Sequence, residues 1–484
     1  MVLYATLRLR LFPHLRWGFA FQFNQTDNTA VKLPLLQKIG YGFGEAGSTL
    51  SWTMISSYLT VFYSDVVGLA PAVISVIMLV ARIWQALCDP IFGAVAENTR
   101  SRWGRYRPYI LFGAPLLALF NCLTFLKLDI PNGAKTVFCL LTYIICCTAY
   151  SVANGAVACV VNSMTSINAE RVSANAIKGV VSSLAGMAVN AVTMPLILHF
   201  GGGSANSANG YFMTALIFSL CSIPFFYICF RSAIEVIGGG EKKKEKGENV
   251  IVMIAKSFAG AFRDWNVAWL MIAMLVYLTA LFGRISVMVF YFIYVTGDSM
   301  GMAAFGTAMT AGMLVVNFYT PFLLNHIDKK YVACLACVCQ AICCIAFYFM
   351  GQARMASSII AIIGFVYGAT NMVSLVSVSL CGELIDDNWI RTGSRSDGVI
   401  VTAVSFSTKI ANAVGSAIGI AALGAVGFVA NSEMSAPVLT NVNKVINLMP
   451  AALFLVAIIP FLMIRMTNRK GKENEAKIKT MMQQ

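Results

Sequence analysis

The stretch VARIWQALCDPIFGAVAENTRSRWGRYRPY, residues 80–109, joins a long apolar run to a strongly basic loop. The apolar run begins near residue 69 and contains Arg82, Gln85 and Asp89, and four arginines follow it within eight residues. A hydrocarbon core of ~30 Å takes ~20 helical residues to cross, and basic residues collect at the cytoplasmic ends of such helices. The stretch therefore predicts a membrane-spanning helix that carries a carboxylate and ends at the cytoplasmic surface.

The composition of the whole chain supports the same class of protein. Of its 484 residues 58% are hydrophobic and only 12% are charged, and the mean hydropathy is +0.75. These values exclude an ordinary soluble protein, and the strand-like alternation of a membrane barrel is absent. We predict an all-α membrane protein of twelve transmembrane helices, near residues 40–63, 69–96, 108–127, 136–163, 173–199, 211–230, 267–296, 303–325, 331–351, 355–382, 398–430 and 444–466.

Lysine and arginine positions predict the orientation. With both termini inside, 27 of the 35 Lys and Arg residues fall in cytoplasmic segments and four fall in outer loops. This bias is the one expected of positive cytoplasmic loops. It also accounts for the net charge of +14 without a nucleic-acid partner.

The chain divides into two related halves of six helices. Glu97 follows Pro90 by seven residues in the second span, as Asp328 follows Pro321 in the eighth, and basic residues come next in both. Two six-helix bundles are typical of transporters that rock around a central site. We assign residues 1–35 to a cytoplasmic N-terminal tail, 36–232 to the first bundle, 233–265 to a cytoplasmic linker, 266–467 to the second bundle and 468–484 to a cytoplasmic C-terminal tail.

Other function classes receive no support from the sequence. The fourteen cysteines lie mostly within apolar spans, and the CxxC of Cys334 and Cys337 has no His or acidic partner, so we expect neither a metal site nor a disulfide framework. No HExxH or nucleotide-binding GKS or GKT motif is present, so we expect no enzyme and no cofactor. The first 33 residues do not read as a secretory signal; a surface-lying tail or a mis-assigned start codon are the alternatives.

The depth of Asp89 makes it the main functional candidate. It lies eleven residues before Arg100, or ~16 Å at ~1.5 Å per residue, which is near the membrane midplane. Lys409 and Arg284 reach similar depths in their own spans. Ionisable groups at this depth are usually functional, but a structural alternative is that Asp89 pairs with Arg82 or another buried cation and only locks helices together. Glu45 is a second candidate proton carrier.

Polar side chains at the same depth predict a site for a polyhydroxylated molecule. Thr49, Tyr150, Ser151, Asn154 and Lys409 supply hydroxyl, amide and ammonium groups. The alternative for each is a hydrogen bond to a neighbouring helix.

Three segments carry a resemblance to a known family. They are IGYGFGEAGSTLSWTMISSYLTVFYSDVVGL (39–69), VARIWQALCDPIFG followed by NTRSRWGRYRPYILFG, and RTGSRSDGVIVTAVSFSTKIANAVGSAIG (391–419). These segments resemble the glycoside, pentoside and hexuronide cation symporters of the major facilitator superfamily, which include the melibiose permease and the glucuronide carrier. The resemblance runs from about residue 36 to 466. It implies a symporter that imports a sugar or glycoside together with H⁺ or Na⁺.

The resemblance also implies where the cation binds. The family's cation site on spans two and four corresponds here to Gln85, Cys88, Asp89, Ser151 and Asn154, of which only Asp89 is acidic. Sodium prefers several hard oxygen ligands with compensating negative charge, whereas a proton needs one carboxylate. We therefore favour the proton as the coupling ion.

The substrate site departs from the family pattern as well. Thr49 and Asn154 stand where acids bind galactosyl hydroxyls in the melibiose permease. Lys409 matches a family lysine and, with Arg284 and Lys178 nearby, would make a positive cavity suited to a hexuronide or glucuronide. Neutral pentosides and β-glycosides stay open as alternatives. The remaining substrate-binding candidates are Ser405 and the aromatic residues Trp84 and Tyr150, whose alternative role is packing.

The transport mechanism predicted from this resemblance is alternating access. Its cytoplasmic gate would use Glu97, Arg100, Arg102, Arg105, Arg107, Asp328 and Glu383, although the arginines also serve topology. We expect a monomer in the bilayer of the bacterial cytoplasmic membrane. A proton-driven exporter, or a lipid or amphiphile carrier on the same fold, is the alternative function.

Overall fold

A computed structural model of the chain describes residues 32–165, 167–236, 264–353, 357–392, 397–432 and 434–483. Every regular element within these ranges is helical. Most of the predicted N-terminal tail, and residues 237–263 of the predicted linker, lie outside the described residues.

Fifteen α-helices follow one another in the described part of the chain. They are α1 Leu35–Val61, α2 Pro71–Asn98, α3 Arg107–Thr124, α4 Asn132–Met164, α5 Asn168–Phe200, α6 Ala208–Ser232, α7 Trp265–Phe290, α8 Gly301–His326, α9 Lys329–Ala353, α10 Ser357–Ala369, α11 Val373–Thr392, α12 Asp397–Ala425, α13 Ala436–Asn443, α14 Met449–Met463 and α15 Asn468–Gln483. Short π-helical turns extend α1 over Phe62–Val66 and α7 over Tyr291–Thr296, and a third, Lys444–Leu448, joins α13 to α14.

Eleven helical stretches in the described residues are long and apolar enough to cross a membrane. The first helix, Leu35–Val61, is not among them, because glycines, serines and charged residues lower its hydropathy. The chain is a multi-pass membrane protein of helical architecture.

The helices pack as two bundles. In the first, α1 lies against α5 and α6, while α3 lies against α4 and α6. In the second, α7 lies against α12 and α14, and α8 lies against α10. Glycines allow the closest of these contacts: a Cβ added at Gly368 of α10 would lie 1.9 Å from the carbonyl oxygen of Met309 in α8. Small residues at such crossings are how membrane helices gain packing contacts.

The two bundles meet along three lines of contact. Helix α2 packs against α12, α5 packs against α8, and α1 packs against α7. Any group placed on the facing sides of these six helices lies between the halves.

Two segments differ from their predicted form. The predicted span 355–382 is two helices, α10 and α11, interrupted at residues 370–372, where the hydroxyl of Tyr277 donates to Oδ1 of Asn371 at 2.8 Å. The predicted C-terminal tail contains α15. This helix is tied to the second bundle by Lys470, whose Nζ lies 2.8 Å from Asp387, and by the backbone N–H of Asn468, which donates to Asp328 at 2.7 Å.

Candidate functional site

A charged pair joins the two halves of the protein. Lys409 of α12 donates from Nζ to the carboxylate of Asp89 in α2. The side chains keep 28% (Asp89) and 37% (Lys409) of their surface exposed, so the pair is not sealed from its surroundings. We call the α2–α12 contact that contains this pair the charged seam. The sequence predicts similar membrane depths for Asp89 and Lys409, and this contact is consistent with that prediction.

The cation beside Asp89 is therefore not Arg82. The guanidinium of Arg82 lies 4.2 Å from the ring centroid of Trp52, and its Nη1 donates to Oε1 of Gln85 at 3.3 Å. Since Gln85 accepts from Arg82, its oxygen already has a cationic partner. The structural alternative from the sequence allowed Asp89 to pair with Arg82 or another buried cation; the partner in the structure is Lys409, which is half-buried.

The other residues predicted at the cation site on α4 and α2 add a hydroxyl, an amide and a thiol but no second carboxylate. Ser151 Oγ and Asn154 Oδ1 are buried and have no hydrogen-bond partner within the described residues, while Cys88 is a half-buried free thiol. Among the described residues no three His, Cys, Asp or Glu side chains cluster as a metal site. The local donor set thus has one carboxylate, already paired with an ammonium.

A second ion pair lies within the first bundle. Lys178 Nζ of α5 is 3.4 Å from Glu45 of α1. One turn further along α1, the hydroxyl of Thr49 donates to the carbonyl of Glu45 at 2.8 Å and lies 3.0 Å from the hydroxyl of Ser182. Glu45, Thr49 and Lys178 are thus brought together, as neighbours on the α1–α5 contact rather than around Asp89.

Of the two aromatic residues predicted to bind substrate, Tyr150 lies in the interior and Trp84 is exposed. Tyr150 stacks on Trp52 with ring centroids 4.4 Å apart. Trp84 lies on the outer surface with the exposed Ile83 and Leu87, and its indole N–H donates to Thr148 at 2.9 Å. Trp84 is thus an exposed side chain bonded to α4, and the sugar-stacking role predicted for it stays a prediction.

Arg284 does not lie beside Lys409 in the positive cavity that the sequence predicts. Its guanidinium is packed in the second bundle, with its carbon 4.5 Å and 4.4 Å from the ring centroids of Phe347 and Tyr367. Nη2 donates to Asn447 at 3.3 Å, and the side chain is 1% exposed. Ser405, one turn before Lys409 on α12, is exposed.

A cavity of about 180 Å³ lies between the halves, where α1, α5, α7 and α8 meet. Its lining residues are Trp52, Thr53, Ser56, Ser57, Asn190, Phe282, Ile285, Met288, Met302, Phe305, Gly306 and Met309. None of these was selected from the sequence, although a signal exists: Lys178, Ser182, Gly186 and Asn190 recur at four-residue spacing along α5, which places them on one helical face.

The comparisons with known proteins agree with this architecture. The family described as MFS/sugar transport protein matches residues 40–468. The chain belongs to this family of sugar transporters.

Similar proteins within the family are symporters and carriers by name. The chain is 29% identical over 414 residues to the isoprimeverose transporter of Lactiplantibacillus pentosus, covering 85% of this chain and 84% of that protein. It is 24% identical over 448 residues to the glucuronide carrier protein homolog of Escherichia coli (strain K12), covering 90% and 93%. It is 25% identical over 391 residues to the inner membrane symporter YicJ of the same strain, covering 80% and 82%.

Solved transporter structures share the fold. A mutant of the nucleoside transporter NupG superposes with a TM-score of 0.62 at 14% identity, covering 89% of this chain and 100% of that one. A POT family transporter in complex with 5-aminolevulinic acid superposes with a TM-score of 0.64 at 11% identity, covering 90% and 99%.

At one end of this sugar transporter, hydrogen bonds close the space between the halves. The hydroxyl of Tyr294, in the π-turn after α7, donates to Asp65 Oδ2 at 2.5 Å. Asn431 donates from Nδ2 to the carbonyl of Asp65 at 2.5 Å and from its backbone N–H to the oxygen of Tyr294 at 3.2 Å. Asn206 of the first bundle donates to Oδ1 of Asn431 at 2.6 Å. We call these four residues the closing cluster.

At the other end, the residues predicted as a gate bond within their own halves. The carboxylate of Glu235 accepts from the backbone N–H groups of Arg105 and Arg107 at 2.9 and 3.0 Å. The guanidinium of Arg107 donates to the carbonyl of Phe230 at 3.0 and 2.9 Å. Arg102 stacks on its neighbour Trp103, with its guanidinium carbon 4.3 Å from the ring centroid, and Arg100 is exposed.

Two of the acidic gate candidates also bond within their own half. Asp328 accepts from Asn468, and Glu383 is paired with Lys329, all within the second bundle. Glu97 lies near the end of α2. A gate that pairs these groups across the halves stays a prediction for another state of the transporter.

Proposed function

We propose that this chain imports a sugar or glycoside together with a proton across the bacterial cytoplasmic membrane. Membership of the sugar-transport family and the similarity to a protein named as an inner membrane symporter support symport. The observation that carries the proposal is the contact between Asp89 and Lys409, because it places the only carboxylate of the predicted cation site between the two moving halves.

Asp89 is the coupling group in this proposal. When it is ionised, its attraction to Lys409 holds α2 against α12. Protonation removes the negative charge, so the contact loses its ionic component and the halves can separate or repack along the charged seam. A cation couples to transport only if it changes the relative stability of the two states, and a pair that bridges the halves meets that requirement.

The immediate surroundings of Asp89 favour a proton over sodium. Sodium would have to bind next to the ammonium of Lys409, and Gln85, the nearest predicted oxygen ligand on α2, already accepts from Arg82. Two cations beside one carboxylate repel each other. A proton needs no additional ligands, so this arrangement suits it.

The transport cycle follows from which end of the transporter is closed. The closing cluster joins the ends of α1 and α7, which we propose to face outward, so the structure corresponds to an inward-facing state. Counting Leu35–Val61 as a span with the eleven apolar stretches gives twelve, with both termini cytoplasmic. A monomer suffices, because one chain supplies both halves of the interface.

The test is the variant Asp89→Asn in energised vesicles, assayed with radiolabelled glycosides. We expect loss of uphill accumulation, with exchange of substrate across the membrane retained, because the amide cannot take up the coupling proton. Lys444→Gln, at an exposed lysine of the second bundle, is the matched control. Accumulation at the wild-type level by Asp89→Asn would place the coupling carboxylate elsewhere, and export driven by an inward proton gradient would favour the exporter alternative.

A further inference from the structure

The cavity between the halves has two chemically different walls. The first bundle contributes Trp52 and four polar side chains, Thr53, Ser56 and Ser57 from α1 and Asn190 from α5. The second bundle contributes Phe, Ile and Met side chains and one glycine. A sugar ring has the matching division, since its edge carries hydroxyl groups and its faces carry C–H groups.

Among the described residues, no ionisable side chain lines this cavity. The nearest cations are held elsewhere: Arg82 stacks on Trp52, and Arg284 lies behind Phe305, with its guanidinium carbon 5.8 Å from that ring centroid. Lys178 is paired with Glu45, as Lys409 is with Asp89. A carboxylate in the cavity would be desolvated without a direct cationic partner, which is unfavourable.

One hydrogen bond crosses between the halves at the cavity wall. Nδ2 of Asn190 donates to the hydroxyl of Thr310 in α8 at 3.1 Å. The amide fits there because α8 has a glycine at the contact: a Cβ at Gly306 would lie 2.9 Å from Oδ1 of Asn190. We call the α5–α8 contact that contains this bond the neutral seam.

The bond to Thr310 makes Asn190 sensitive to what occupies the cavity. A ring hydroxyl that binds the amide competes with Thr310 for the same N–H group. Occupancy would therefore exchange a bond between the halves for a bond to substrate, which is the kind of state-dependent contact that coupling requires.

We propose that this cavity binds one uncharged sugar ring of the transported glycoside, with its hydroxyl edge on Asn190, Thr53 and Ser56 and a C–H face against Phe305. Asn190 is the specificity-determining residue that recognises a ring hydroxyl. This inference rests on the proposed function and narrows its substrate class from sugars and glycosides in general to neutral glycosides. The cavity volume of about 180 Å³ is below the ~300–1,000 Å³ of drug-sized ligand pockets, as suits a single ring.

The experiment measures binding separately from transport. Full-length purified protein in detergent is titrated with methyl β-xyloside, methyl β-glucoside, methyl β-galactoside and methyl β-glucuronide, and binding is followed by thermal shift. We expect at least one neutral glycoside to bind more tightly than the glucuronide. Absence of binding by every neutral probe, or preferred binding of the glucuronide, would overturn the inference.

Two variants at the same hydrogen bond distinguish ligand binding from a structural role. Asn190→Ala removes the hydroxyl-binding amide, so affinity for the neutral glycoside should fall about tenfold. Thr310→Val frees the amide from its competitor, so affinity should stay equal or rise several-fold. Asn317→Ala, at an exposed amide on α8, is the matched control and should bind as the wild type does. Equal weakening by Asn190→Ala and Thr310→Val would assign the bond a purely structural role.

The same measurements separate this inference from the proposed function. If a neutral glycoside binds through Asn190 but energised vesicles never accumulate it, symport is wrong and the sugar site stands. If glycosides accumulate and Asn190→Ala leaves both KM and affinity unchanged, the symporter stands and this sugar site is wrong.

Discussion

The charged seam and the neutral seam join the same two bundles with different chemistry. In the charged seam, Asp89 and Lys409 are opposite charges that remain partly exposed. In the neutral seam, Asn190 and Thr310 share an uncharged hydrogen bond beside Gly306, where the backbones come close. One contact changes with the protonation of a carboxylate, and the other changes with a hydroxyl ligand.

This difference suggests how a symporter can respond to two ligands separately. A proton alters the charged seam without entering the cavity, and a neutral sugar alters the neutral seam without needing a counter-charge. Since both seams connect the same rigid bundles, each ligand changes the stability of the same two states. The coupling is then a property of the shared interface and requires no direct contact between proton and sugar.

The largest expected effect is at the charged seam. Lys409→Gln leaves Asp89 without its ammonium partner, so accumulation should fall at least ~tenfold, since breaking such a pair costs more than removing both charges. The double variant Asp89→Asn with Lys409→Gln should regain substrate exchange but not accumulation. Uptake and counterflow in the same vesicles measure both quantities. Full accumulation by Lys409→Gln would show that the ion pair gives the charged seam no role in coupling that distinguishes it from the neutral seam.

A second variant changes the ion chosen at the charged seam. Gln85→Asp adds a carboxylate one turn before Asp89, on the same face of α2, and supplies negative charge and hard oxygens for sodium. Uptake should become several-fold more dependent on sodium at constant pH. A wild-type protein that already depends on sodium would contradict our account of the coupling ion.

A third variant weakens the closing cluster, which lies beyond both seams. Tyr294→Phe removes the hydroxyl that donates to Asp65 and accepts from Asn431. Loss of a hydrogen bond to a charged group costs ~1.5–3 kcal/mol, so the outward-open population should rise by about tenfold or more.

The measurement for this variant is the distance between spin labels at exposed Ser204 and Ser432, attached by chemistry that spares the native cysteines. Tyr348→Phe, whose hydroxyl bonds only to Gln352 among the described contacts, is the control. An unchanged distance distribution for Tyr294→Phe would mean that the closing cluster does not hold this end shut.

The smallest effect is expected at the ion pair inside the first bundle. Glu45 and Lys178 are 3.4 Å apart and retain 24% and 20% of their side-chain exposure, and partly exposed pairs contribute ~0–1 kcal/mol. Glu45→Gln should therefore change the uptake rate by less than about fivefold. Loss of accumulation in this variant, with Asp89→Asn active, would transfer the coupling role to Glu45.

Much of the fold could be predicted because the membrane imposes it. Helix positions follow from ~20-residue apolar runs, and the predicted spans 69–96 and 303–325 match α2 and α8 closely. The interruption at residues 370–372 could not be predicted this way, because Thr370 and Asn371 are only a short polar break within a long apolar run. The contact between Tyr277 and Asn371 comes from another helix.

For the candidate site, the sequence could predict only the position of each residue along its own helix. Depth and helical spacing selected Asp89 and Lys409 for similar positions along their helices, and the structure shows these two groups in contact. They could not show that Trp84 faces outward or that Arg284 is enclosed by Phe347 and Tyr367, because the direction of a side chain depends on how its helix is rotated against its neighbours.

The sequence by itself determined that this chain is a helical membrane protein of the sugar-transport type, and it predicts which ionisable groups lie deep in the membrane. Both follow from transfer free energies, which depend on residue type and on position along one helix. The tertiary structure alone decided which of those groups meet. The pairing of Asp89 with Lys409, and the two-walled cavity beside Asn190, arise from contacts between helices hundreds of residues or many turns apart, and no local pattern fixes such packing.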